Sequence, residues 1–124
     1  MKRLFTLLIA ALCFVGCIEQ TPTSRLTEDF NFDWCFMLGD KPQYATVEFN
    51  DANWRQLHLP HDWSIEGEFN RMNPSTPAGG ALPGGIGWYR KTFTSPNLEG
   101  KVVHIEFDGI FMNSTVYVNG EKVG

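Results

Sequence analysis

Between Leu26 and Leu38 the side chains alternate in size. Phe30, Phe32, Trp34, Phe36 and Leu38 take the even positions, and Asn31, Asp33 and Cys35 fall between them. A repeat of two is the repeat of an extended strand, whose successive side chains point to opposite faces, so this segment is expected to be a strand with one greasy face turned to a core. Arg55 to Leu59 alternates again and is closed by Pro60. Val102 to Asp108 does so most cleanly, with Val103, Ile105 and Phe107 expected to face inward and His104, Glu106 and Asp108 outward. No segment keeps a helical period and no internal repeat is visible. Short strands separated by turn residues point to an all-β sandwich.

The stretch Gly79 to Phe93, GGALPGGIGWYRKTF, ties these pieces together. Its first half is rich in glycine and proline and reads as a tight surface loop. Its second half, Gly87 to Phe93, carries the bulky side chains of a strand. A glycine-rich loop is sometimes a phosphate cradle, but no helix-forming run follows this one and GK[ST] is absent, so a turn beside a sheet is the better reading. Gly39 to Pro42 is a turn, and Asn50-Asp51 reads as a helix cap or a turn leading to Trp54. Ser64 to Pro83 has little periodicity, and an aperiodic run of that length is usually a functional loop or a flexible one. Near the end, Thr115 to Val118 is a strand, Asn119-Gly120 a two-residue hairpin turn and Glu121 to Val123 the start of a return strand. So short a return arm leaves ladder groups unpaired, and the sandwich is expected to be incomplete at its C-terminus.

Met1-Lys2-Arg3 is a basic start, and Leu4 to Val15 is apolar except for Thr6. Roughly a dozen apolar residues are too few to span a bilayer, which takes about 20. They suit the core of a secretory signal peptide covering residues 1–16. The Gly16-Cys17 junction resembles the lipobox of bacterial lipoproteins, although Phe14 stands where leucine is more usual. That resemblance implies cleavage before Cys17, lipid on its sulfur, and an exported lipoprotein held at a membrane on the periplasmic side or the cell surface. An ordinary signal peptide in which Cys17 has no role is the alternative. Residues 17–25 read as a flexible tether and 26–124 as the folded part. Cys35 is then the one cysteine of the folded part, too few for an intrachain disulfide or a zinc site, and its apolar neighbours suggest a small buried hydrophobe. The chain carries a net charge of −4. Losing a leader that contains Lys2 and Arg3 and no acid makes the remainder more acidic still. Nucleic-acid binding relies on clustered Lys and Arg, so that class is set aside.

Candidate chemistry centres on Pro60-His61-Asp62-Trp63. His58, His61 and Asp62 include possible metal donors, but Pro60 breaks any helix that would align the two histidines, and no metal or other cofactor is expected. His61 and Asp62 are expected to hydrogen-bond to nearby backbone and order the loop, with Trp63 packed beneath them. Trp63 and Trp88 flank the long loop, and such rings can stack on the apolar face of a sugar, so His61, Asp62, Trp63 and Trp88 are the candidate sugar-facing residues. Core packing is the competing role for both tryptophans. A carboxylate pair working as acid and nucleophile takes two such groups about 5–5.5 Å apart. Asp62, Glu66, Glu68, Asp108 and Glu121 lie in loops or on outward faces, where solvated or hydrogen-bonded roles are expected and no catalytic pair is assigned.

The order of these pieces resembles glycoside hydrolase family 2, and within it the β-galactosidase-like members. The resemblance rests on Asn31 to Phe36 with Gly39-Asp40, on Asp51 to Trp54, and on Leu59-Pro60-His61-Asp62-Trp63. It continues through Pro83 to Phe93, Phe107 to Ser114, and Val116 to Gly120. It implies a jelly-roll, galactose-binding-like β-sandwich as the first domain of a longer enzyme. The catalytic glutamates lie in a barrel that is not among these residues. Where some relatives lend a polar side chain to the sugar site, this chain has Pro83-Gly84-Gly85, so that role is not carried over. The implied partners are a β-galactoside-like carbohydrate in the full-length enzyme and the missing C-terminal domains. A stand-alone carbohydrate-binding lipoprotein module is the alternative, and a fragment unable to fold is a third.

Overall fold

The computed structural model describes residues 25–95 and 97–124; the leader 1–16, Cys17 and the tether as far as residue 24 lie outside the described residues. Among the described residues every strand pair is antiparallel, and helix occurs only as short 3-10 turns. The chain is therefore all-β, as its alternation requires.

β1 (Trp34–Leu38) is the middle strand of a three-stranded sheet, with β2 (Arg55–Leu57) on one side and β3 (Gly87–Arg90) on the other. Arg55 pairs with Phe36, and Phe36 in turn pairs with Tyr89, so these three side chains share one face. Cys35 pairs with Gln56 and Arg90, and Met37 with Trp88, on the opposite face. The strands are shorter than the alternation suggested. Asp33 sits at φ 58°, and a left-handed residue breaks extended backbone, so Phe30 and Phe32 fall outside β1 and Phe32 is exposed. β2 stops at Leu57 and β3 at Arg90, ahead of Phe93.

On the Trp88 face, Tyr44 and Trp54 are buried and meet edge-on at 4.9 Å, with Phe49 5.0 Å from Tyr44. Arg90 rivets this cluster. Its Nε donates to Asp51 Oδ2 at 3.1 Å, and its Nη1 donates to the carbonyls of Tyr44 at 2.6 Å and Thr46 at 3.1 Å. Asn50-Asp51 makes a turn and not a helix cap: Asn50 Oδ1 accepts from Ala52 N, and the Asp51 carbonyl accepts from Trp54 N. The other face carries Phe36, the one further buried hydrophobe among the described residues.

The hairpin forms at its expected place. β4 (Tyr117–Val118) and β5 (Glu121–Lys122) flank Asn119 and Gly120 at φ 51° and 84°, the pair of left-handed residues that matches a two-residue turn to strand twist. Tyr117 stacks on Trp88 at 5.6 Å, linking hairpin and sheet.

The expectation for Val102 to Asp108 is corrected. No described segment pairs with it, it is not a strand, and Val103, Ile105 and Phe107 are 58%, 39% and 43% exposed. Alternation prepares a strand but does not make one: its N–H and C=O groups need a neighbouring ladder.

Candidate functional site

The long loop from Ser64 to Pro83 holds no strand and only two short 3-10 turns, but it is closely stitched. Ser64 Oγ donates to the Pro83 carbonyl at 2.7 Å, joining its two ends. Inside it, Asn73 Nδ2 donates to the carbonyls of Glu68 and Ala81, Ser75 Oγ donates to that of Leu82, and Asn70 N donates to that of Ala81. Asn and Ser side chains replace a ladder here, which is why no period shows in the sequence.

The tetrapeptide Pro60 to Trp63 forms the root of this loop. Asp62 behaves as expected: its side chain accepts from Ser64 N at 2.9 Å and caps the 3-10 turn Trp63–Glu66. Trp63 packs against the glycines that open β3. A Cβ at Gly87 would lie 2.8 Å from Trp63 Nε1 and 2.9 Å from Phe36 Cε2, so the absence of a side chain there is what lets the indole reach the sheet.

His61 departs from expectation. In place of backbone it meets three side chains on three different segments. Nδ1 lies 2.8 Å from Tyr89 Oη on β3, and Nε2 lies 2.5 Å from Arg55 Nη2 on β2 and 3.2 Å from Glu66 Oε1 on the turn. The His61 side chain is only 12% exposed, and its ring sits 5.0 Å from that of Phe36. Arg55 also grips Glu66 in a fork, Nη1 to Oε2 at 2.8 Å and Nη2 to Oε1 at 3.0 Å. That fork holds the Glu66 carboxyl below the usual carboxylate range, with His61 adding to the effect. Burial, then the charge of Asp62, raises the Tyr89 phenol.

Trp88 stands apart from the other three candidates. It points to the opposite face of the sheet, where Nε1 donates to Asp40 Oδ1 at 2.9 Å and the ring contacts Tyr44 and Tyr117. The structure thus brings His61, Asp62 and Trp63 together and separates Trp88 from them. His58 is also separate: its Nδ1 accepts from Asp33 N at 3.1 Å. Among the described residues, no three His, Cys, Asp or Glu side chains gather as a metal site would require.

No family model matches the chain. Its similarity to individual proteins is nevertheless extensive. It is 56% identical over 101 residues to the β-galactosidase BoGH2A of Bacteroides ovatus, a match that covers 81% of this chain and 12% of that protein. It is 40% identical over 119 residues to a putative β-glucuronidase of Formosa agariphila, covering 94% of this chain and 12% of the relative. The crystal structure of a β-glycosidase from Bacteroides vulgatus superposes with a TM-score of 0.69 at 38% identity, over 81% of this chain and 13% of that one. The chain matches a small part of a larger glycoside hydrolase. The resemblance to β-galactosidase-like glycosidases is met on this point.

At the loop root, Arg55 and Tyr89 are not among the residues the sequence singles out, and Glu66 stands there only as one loop acid among several. Arg55 lies in an alternating strand and Tyr89 three residues after the glycine-rich run's Ile86, so both strands were visible. What was not visible was the register that sets them on one face with His61.

Proposed function

We propose that this chain is the non-catalytic N-terminal sugar-binding domain, of jelly-roll type, from a β-galactosidase-like family 2 glycoside hydrolase. The observation that carries the reading is the 56% identity over 101 residues to a protein named as a β-galactosidase, 12% of whose length is matched. In this reading, hydrolysis of O-glycosyl bonds belongs to the full-length enzyme and its catalytic carboxylates lie outside these 124 residues. The sheet and its stitched loop brace the catalytic domain, and the loop root at His61, Asp62 and Trp63 faces the carbohydrate.

The same reading makes the protein an exported lipoprotein anchored through Cys17. Its support is the apolar run Leu4 to Val15 ending at Gly16-Cys17. Two experiments test the proposal. Reading the coding DNA that adjoins codon 124 should show a barrel domain with two catalytic glutamates, in frame or displaced by a frameshift; unrelated sequence there contradicts it. Growth with radiolabelled palmitate should label the chain and not its Cys17→Ala variant; equal labelling, or none, contradicts the anchor.

A further inference from the structure

At the loop root, Arg55 and Glu66 compete for one nitrogen atom. Arg55 Nη2 carries only N–H groups, so at 2.5 Å from His61 Nε2 it can only donate. Nε2 must then accept, which places the proton of a neutral imidazole on Nδ1. From there it is donated to Tyr89 Oη at 2.8 Å. Glu66 Oε1 stands 3.2 Å from the same Nε2 and can only accept, so a bare Nε2 offers it nothing. The relation inverts when His61 takes up a proton. Nε2–H then confronts the N–H of Arg55 and finds its one acceptor in Glu66.

We propose that His61 is a proton-driven partner switch at the root of the loop from Ser64 to Pro83. In the neutral state it bonds Arg55 of β2; in the protonated state it bonds Glu66 of the Trp63–Glu66 turn and displaces Arg55 Nη2. The Nδ1–H bond to Tyr89 is common to both states, so the ring keeps its place while one bond changes hands. The groups facing His61 permit this. Around the ring stand Arg55 on β2, Glu66 on the turn, the phenol of Tyr89 on β3 and the ring of Phe36 on β1, while the neighbouring Asp62 is held by Ser64 N. The outcome is that the Arg55–His61 bond between β2 and the loop root is lost in acid, while the Arg55–Glu66 fork and the tie to β3 remain.

The experiment is long-range 1H–15N correlation of the histidine rings in the full chain between pH 4 and 9, with His61 assigned by the signals missing from His61→Gln. At the basic end the proton is expected on Nδ1, with Nε2 bare. In acid both nitrogens are expected to be protonated, and the Arg55 guanidinium resonances should move with the same midpoint. In Arg55→Met the donor is gone, so the neutral proton should migrate to Nε2 and face Glu66. A wild-type ring with its neutral proton on Nε2 overturns the switch, and so does an Arg55→Met ring with an unchanged tautomer. Should Arg55→Met fail to fold, the wild-type tautomer alone decides.

Discussion

Phe36 and Tyr89 are partners across β1 and β3, and their rings meet at 4.9 Å with a tilt of 48°. This pair fixes the face on which the loop root assembles: Arg55 lies over the Phe36 ring at 5.3 Å, His61 packs on Phe36 and reaches Tyr89, and Trp63 fills the space beside Gly87.

Gly87→Ala should destabilise the chain by about 1–3 kcal/mol, the usual cost of forcing an extra methyl into a packed site. The new Cβ would collide with both Trp63 and Phe36. Gly109→Ala is the control, since no atom lies within 4 Å of a Cβ there, and it should be close to neutral. Urea denaturation followed by tryptophan fluorescence measures both; equal midpoints would refute the close approach.

Arg90→Lys should cost about 2 kcal/mol despite keeping the charge, because charge-assisted hydrogen bonds are lost. An ammonium cannot reproduce the guanidinium fork that spans Asp51 and the carbonyls of Tyr44 and Thr46. The same denaturation experiment reads the loss, and an unchanged midpoint would show that the rivet contributes nothing.

Much of this fold is legible in the sequence because strand alternation and turn chemistry are local. β1, β2 and β3 lie within the segments that alternation marks, each shorter than the pattern suggested, and the Asn119-Gly120 hairpin turns where its residues put it. The loop root is not legible, because it depends on register. Arg55, His61, Glu66 and Tyr89 meet only once β2 and β3 have aligned on either side of β1, and nothing local encodes that alignment. Val102 to Asp108 fails for a related reason: alternation names the face a strand would bury without supplying the strand beside it. Asp33 shows the opposite limit, a single left-handed residue that ends a regular pattern of large side chains.

The Arg55–Glu66 fork should leave a pH signature. A carboxylate whose folded-state pKa is lowered adds stability above its ordinary range and loses it as pH falls through the lowered value. From pH 7 toward pH 3 the urea midpoint of the wild type should therefore fall further than that of Glu66→Gln, which has no charge to lose. Parallel curves would mean that the fork has no influence on folding. The effect should be modest and should shrink in salt, because the pair is exposed.

Cys35 should be a sluggish thiol. Burial, then the negative charge of Asp51, raises its pKa against the opposing pull of Arg90, so less thiolate is present at neutral pH. Iodoacetamide labelling of the folded chain, resolved by peptide mass spectrometry, should modify the Cys35 peptide more slowly than the same peptide free in solution. Its rate should also rise at higher pH. Cys35 is half-buried and not the fully buried residue its apolar neighbours suggested, and equal rates would contradict even that shielding.

The central claim is that this chain belongs to a glycosidase without holding the residues that cut. Turnover of 4-nitrophenyl β-galactoside by the purified 124-residue chain, measured beside the Bacteroides ovatus relative at equal molarity, tests it most directly. The account predicts release of nitrophenol by the relative and none above buffer by the chain. Turnover by the chain that survives further purification would contradict it.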